Sequence, residues 1–231
     1  FRLSVNTVLN LIKMHSSKEI DAILCKSFHS YQKYGSFNPK KKNMFSHRFE
    51  TIKKRLLKMD YLFIDSGIEG SPVGLTDKGE FSSKIYAEEL IIGEIFATEF
   101  KEDLTTYEIF LLLACICYEP KERTKFFKKF VDVEVKRLES KIGHHKFLKR
   151  KKNFKSLKKI TALIWPCYKG KDIFEIIDNT NLLEGDVIRF FRQILDRIGQ
   201  ILKATDDNKL IEKLDTIRLK IIKALKDIDV V

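Results

Sequence analysis

The chain of 231 residues is 44% hydrophobic, with only 10 Gly and 4 Pro; that can bury a core as one large domain or two small ones, and it excludes disordered and fibrous classes. Its formal charge of +12 is segregated: residues 1–60 hold 13 basic and 4 acidic side chains, 61–120 hold 3 and 12, 121–160 hold 16 and 4, and 161–231 hold 12 of each. The segregation predicts a basic face for a polyanion, nucleic acid ahead of membrane, since no basic amphipathic helix or lipidation motif accompanies it.

In chain order, the first predicted helix is Val5 to Met14, with Val8, Leu9 and Ile12 on one face and Ser4 as its N-cap. A second runs from Ser17 to Tyr34 through Ile20, Ile23, Leu24, Phe28 and Tyr31, with Gly35 as a C-terminal cap. After a polar break at 38–43, a third runs from Ser46 to Met59, burying Phe49, Ile52, Leu56 and Met59 and leaving Arg48, Lys54, Arg55 and Lys58 outside. YLFID at 61–65, a turn-rich 65–72 and a return strand at Val73 to Leu75 predict a hairpin. Further helices are predicted over 78–86, 88–99, 105–118, 121–141, 153–165, 172–179, 185–204 and 207–227, with no further strand. The pattern predicts a mainly α fold: a winged-helix module with a small β-hairpin over 1–79, packed on an all-α bundle over 80–231.

Motifs for chemistry are sparse. No GxxxxGK[ST] loop is present, and KGKD at 169–172 lacks the upstream Gly and the hydroxyl that would bind magnesium. There is no DExH box either, so this chain alone is not expected to hydrolyse ATP. It begins at Phe1, which reads as a piece of a longer polypeptide. Cys25, Cys115, Cys117 and Cys167 do not make a disulfide scaffold, and the composition points to a reducing compartment. The longest apolar stretch, Ile109 to Cys117, is about half a membrane span. Cys115 and Cys117 stand about 200° apart on a helix and cannot converge on one metal, so burial is the better account and no metal site is expected.

Three basic or polar surfaces remain. Lys121 to Lys159 carries Lys and Arg interleaved with Phe147 and Phe154, which fits both phosphate contact and a solvated surface. The 46–59 helix could enter a major groove, but Leu57 widens its apolar face and Glu50 interrupts its basic one, favouring packing on a neighbouring domain. In the 185–203 helix, Val187, Ile188, Phe191, Ile194, Leu195, Ile198, Ile201 and Leu202 form an apolar face. Arg189, Arg192, Gln193, Asp196, Arg197 and Gln200 form a polar stripe of the residue types that contact phosphates and bases.

Three blocks resemble the C-terminal region of superkiller/TRAMP-type, exosome-cofactor-like DExH-box RNA helicases, ending in the domain called DSHCT. They are FRLSVNTVLNLIKMHSSKEIDAILCKSFHSYQ at 1–32, LTDKGEFSSKIYAEELIIGEIFATEFKEDLTTYEIFLLLACICYE at 75–119 and YKGKDIFEIIDNTNLLEGDVIRFFRQILDRIGQI at 168–201. The last, with Glu184-Gly185-Asp186 and Ile188-Arg189, is the most specific.

The resemblance implies a winged helix and helical bundle that guide single-stranded RNA, with DNA as a second candidate, in an ATP-dependent 3′-to-5′ helicase. RecA-like motor domains upstream in the same polypeptide would bind ATP and Mg2+. Cytoplasmic residence, or nuclear in a eukaryote, and no membrane association follow from it. The helix matching the family's strand-contacting helix is 185–203. Gln193 stands where the family usually has Arg, and only about ten residues separate Tyr34 from Phe45, where the exosome-linked helicases insert an arch. The alternative is a free-standing winged-helix regulator or adaptor that binds duplex DNA through the 46–59 helix without ATP.

Overall fold

The computed structural model describes residues 3–26, 44–65 and 73–226. The protein is mainly helical with one small two-stranded antiparallel sheet, so the mainly α reading with a hairpin holds. It divides into two compact units, Phe1–Glu99 and Phe100–Val231. The boundary drawn from sequence at 79 falls inside the first unit.

In the first unit, α1 (Val5–Met14) starts where Ser4 Oγ accepts the Thr7 N–H at 3.1 Å, and it buries Val8 and Leu9. Helix α2 (Ser17–Cys25) opens on a Ser16–Glu19 capping box, which satisfies two otherwise orphaned backbone donors. It ends at Cys25, not at Tyr34 as the periodicity predicted, with the Lys26 N–H bonded to the Ala22 carbonyl at 3.0 Å. Residues 27–43, including the Gly35 cap and the polar break, lie outside the described residues, as does the 66–72 turn. Helix α3 (Met44–Lys58) buries Phe49 and Leu56 and exposes Arg48, Lys54, Arg55 and Lys58, as its spacing predicted, while Ile52 and the following Met59, expected in the same stripe, are only half-buried. Strands β1 (Leu62–Ile64) and β2 (Val73–Leu75) pair Leu62 with Leu75, Phe63 with Gly74 and Ile64 with Val73.

Two short helices, α4 (Asp77–Ser83) and α5 (Glu89–Phe96), are tied to α1 and β1 by side chains that serve backbone groups. Asn6 Nδ2 donates to the Ser83 and Ile85 carbonyls at 2.7 and 2.8 Å, and Asn10 Nδ2 donates to Ser83 at 3.0 Å. The Ser83 carbonyl is one that α4 leaves unpaired at its C-terminus, and Ile85 follows just beyond it. The Asn6 N–H donates to Glu89 Oε1 at 3.1 Å. Tyr61, fully buried, donates from its hydroxyl to Glu94 Oε1 and to the Leu90 carbonyl, both at 3.1 Å. Lys78 Nζ completes the network 2.5 Å from Glu94 and 4.4 Å from the centre of the Tyr61 ring. Burial, reinforced by the Glu94 charge, pushes the Tyr61 hydroxyl far above its ordinary pKa, so it stays a donor.

The second unit is built around α6 (Thr106–Cys117), whose residues from Tyr107 to Cys117 are all buried. A helix that is apolar on every side must be surrounded. It is enclosed by α7 (Val133–His144), α8 (Leu157–Tyr168), α10 (Glu184–Leu202) and α11 (Asn208–Ala224), with the one-turn α9 (Ile173–Ile177) between α8 and α10. Glu108, 1% exposed, joins a capping box with Thr105 to a two-pronged pair with Arg137, at 2.8 Å to Nε and 2.5 Å to Nη2.

The helix predicted over 121–141 forms only from Val133. Upstream the chain is irregular: Phe126 bridges Thr180, Asn181 Oδ1 accepts the Lys125 N–H at 2.7 Å, and Thr180 Oγ1 donates to the Lys125 carbonyl at 2.9 Å. These distant partners take the backbone groups a helix would have used. Asp132 then caps α7 by accepting the Val135 N–H at 2.9 Å.

Candidate nucleic-acid interface

Helix α10 begins at Glu184 with Asp186 in its first turn, two acids at the positive end of the helix dipole. Lys121 holds Asp186 at 2.6 Å. Val187, Phe190, Phe191, Ile194, Ile198 and Ile201 are buried, with the helix packed on α6 and α11. With one face committed to the core, the opposite face is left to solvent, and there lie Arg189, Arg192 and Asp196, all exposed, followed by Lys203 just past the last turn. Lys203 was not part of the sequence-derived stripe, although its heptad spacing from Asp196 marks the same face.

The six residues of that stripe do not share one environment. Arg189, Arg192 and Asp196 face solvent, while Gln193 is half-buried. A hollow of about 50 Å³ opens beside the helix, lined by Asp186, Arg189 and Gln193 of α10 and by Tyr118 and Lys121. Arg197 lies mostly covered, its side chain 17% exposed, with Nη1 3.4 Å from Asp196. Gln200 is buried and donates from Nε2 to Asp196 Oδ2 at 2.8 Å. After α10 the Ala204 and Thr205 N–H groups both donate to the Ile201 carbonyl, and helix α11 packs against α10.

A second hollow of about 600 Å³ lies beside the start of α11. Two of its lysines are already engaged, Lys101 with Asp207 at 2.7 Å and Lys213 with the Leu104 carbonyl at 2.7 Å. The Lys101 hydrogen bond, with the Leu210 and Lys209 backbone N–H groups, holds the Asp207 carboxyl below its ordinary range. It is a structural helix cap.

Cys115 and Cys117 are both buried in α6, as their place in an apolar helix predicted. Burial pushes the Cys117 thiol up to about 12 against the opposing charge of Arg197, and pushes Cys167 up to about 12 as well. Cys115 is raised by burial too. Because the thiolate is the reactive form, alkylation near pH 8 is expected to label only the half-buried Cys25 in the native chain, and all four thiols in denaturant. Mass spectrometry of the labelled chain checks this; rapid native labelling of Cys117 would refute the buried assignment.

The second unit is thus a closed helical bundle that presents one long amphipathic helix with an Arg-rich outer face. The chain belongs to the DSHCT (NUC185) domain family, matched over residues 73–225, a domain found in Ski2-like DExH RNA helicases. No curated protein shows a significant match. The match spans α10 and the whole second block of the sequence resemblance, so the chain is a helicase-associated C-terminal region.

Proposed function

We propose that this chain is the strand-guiding end of an ATP-dependent 3′-to-5′ RNA helicase of the superkiller/TRAMP type. The observation that carries the reading is the solvent-facing row Arg189, Arg192 and Asp196 on a helix whose opposite face is fixed in the core. Arg189 and Arg192 would hold phosphates by charge-assisted hydrogen bonds. Asp196 would accept from a base amine. A helix anchored along one face cannot follow the strand as it moves, which is what a positional contact against slippage requires.

In this reading RecA-like domains elsewhere in the same polypeptide bind ATP and Mg2+ and perform the hydrolysis, and the enzyme works on RNA in the cytoplasm without a membrane. The first three helices and the hairpin of the first unit would serve as a winged-helix module supporting those motors. Arg197 and Gln200 would act from behind the row, because Gln200 holds the Asp196 carboxylate and Arg197 stands beside it.

Arg189→Ala with Arg192→Ala in the intact helicase should reduce strand affinity and unwinding by at least about tenfold, since each lost charge-assisted bond is worth about 1.5–3 kcal/mol. Basal ATP hydrolysis should persist. Unwinding at the wild-type rate by the doubly substituted enzyme would sink the assignment.

A further inference from the structure

From Ser140 to Lys171 the chain contains no Asp or Glu, while Gly143 to Lys159 alone contains eight Lys and Arg. The segment is held rigidly. Leu148, Phe154, Ser156, Leu157 and Ile160 are buried, and two short 3-10 turns, Leu148–Arg150 and Lys152–Ser156, link α7 to α8. His145 pins the first turn: its Nδ1 accepts the Leu148 N–H at 3.2 Å, and its ring stands edge-on to Phe100. With the apolar side chains drawn inward, Lys146, Lys149, Arg150, Lys152, Lys155 and Lys159 are all exposed. Among the described residues none of these six has a carboxylate partner, in contrast to Lys158, which pairs with Glu139 at 2.8 Å.

We infer that this ledge is a second nucleic-acid contact, separate from the α10 row, which grips the phosphodiester backbone without reading sequence. The inference rests on the reading of the chain as an RNA-contacting helicase region. Six uncompensated cations on a fixed surface repel one another, and a polyanion relieves that repulsion while releasing its own counterions. The same surface suits other anions poorly. No exposed large apolar side chain lies between Val133 and Phe174, so the ledge lacks both the apolar centre of a protein interface and the side chains that insert into a lipid surface. Lysine predominates, and its point charge suits phosphates better than base edges.

The test is binding of the 231-residue chain to a labelled oligouridylate across about 50 to 200 mM salt. Lys149→Gln, Arg150→Gln, Lys152→Gln and Lys155→Gln together should weaken binding at least about tenfold, and should flatten the slope of log affinity against log salt by about 2 to 3, near 0.7 per phosphate contact on a single strand. Charge-conserving Lys149→Arg, Lys152→Arg and Lys155→Arg should retain both. Unaltered affinity and slope in the Gln variant overturn the ledge. If Arg189→Ala with Arg192→Ala abolishes binding while the Gln variant binds normally, the ledge fails and the α10 reading stands. The reverse pattern upholds the ledge and removes α10. Binding of polyglutamate or phosphatidylserine vesicles but not of oligouridylate overturns the inference in favour of an acidic protein or a lipid surface.

Discussion

Gly79→Ala should cost the first unit about 3 kcal/mol, at the upper end of what overpacking imposes. A Cβ at Gly79 would lie 2.1 Å from the Tyr61 carbonyl oxygen, and the obstacle is backbone, which cannot swing aside as a side chain can. That carbonyl also accepts the Thr76 N–H at 3.2 Å, at the step from β2 into α4. Relieving the clash would pull Tyr61 away from Glu94 and Leu90. Hydrogen exchange across 59–65 and 73–96 reads the effect directly, with protection expected to fall in both. The control is Gly199→Ala in the last turn of α10, where an added Cβ meets nothing within 4 Å. There the better helix propensity of Ala should stabilise the chain by about 0.5–1 kcal/mol. Opposite signs for one substitution at two helical glycines are the signature of close backbone approach at Gly79; equal effects would refute it.

Arg137→Ala is expected to cost about 3–5 kcal/mol, because it strands the Glu108 carboxylate inside the second unit. Glu108 is 1% exposed, whereas the Arg137 side chain is half-exposed, so the two partners are not equivalent. Removing the arginine leaves a buried charge that keeps only its bond from the Thr105 N–H, at 2.8 Å. Removing the glutamate charge leaves an arginine that can turn to water. Glu108→Gln should therefore cost only about 1–2 kcal/mol, since Gln still completes a capping box. The double variant Arg137→Ala with Glu108→Gln should be more stable than Arg137→Ala alone. Denaturant unfolding followed at Trp165, the single tryptophan, measures all three. A double variant less stable than Arg137→Ala would show that the stranded charge is not the cause.

These two sites clarify the sequence blocks that carried the resemblance. Asn6 and Asn10 lie in the 1–32 block, and Lys78, Gly79, Glu89, Glu94 and Glu108 lie in the 75–119 block. As polar residues or glycines within matching stretches, all have the character of candidates for chemistry. Each instead has a structural task. The asparagines cap α4, Glu89 receives the Asn6 backbone, Lys78 and Glu94 clasp Tyr61, Gly79 admits the Tyr61 carbonyl, and Glu108 begins α6. The 168–201 block differs, since it places Arg189 and Arg192 in solvent.

Most of the fold was legible from periodicity. The limits of α1 match the prediction, and α3, α6, α10, α11 and the hairpin lie within two or three residues of theirs, because in each an apolar stripe and its flanking polar or turn residues agree on the same boundaries. Two helices depart from their predicted limits. Helix α2 ends at Cys25, and the 121–141 helix is cut back to Val133 because Thr180 and Asn181, far along the chain, take the backbone groups of Lys125.

The candidate site was half legible. Composition and spacing alone put Arg189, Arg192 and Asp196 opposite an apolar face, because a helix of known period has only one way to bury Val187, Phe191, Ile194 and Ile198. That Arg197 is mostly covered and Gln200 buried is a matter of how α10 packs in the bundle, which the spacing of polar residues along the helix does not encode. The basic run likewise declares its charge in the sequence, but only the inward turn of Leu148 and Phe154 makes it a fixed, exposed ledge. Local periodicity decides which face of a helix is apolar; tertiary packing decides which of the remaining polar side chains still meet water.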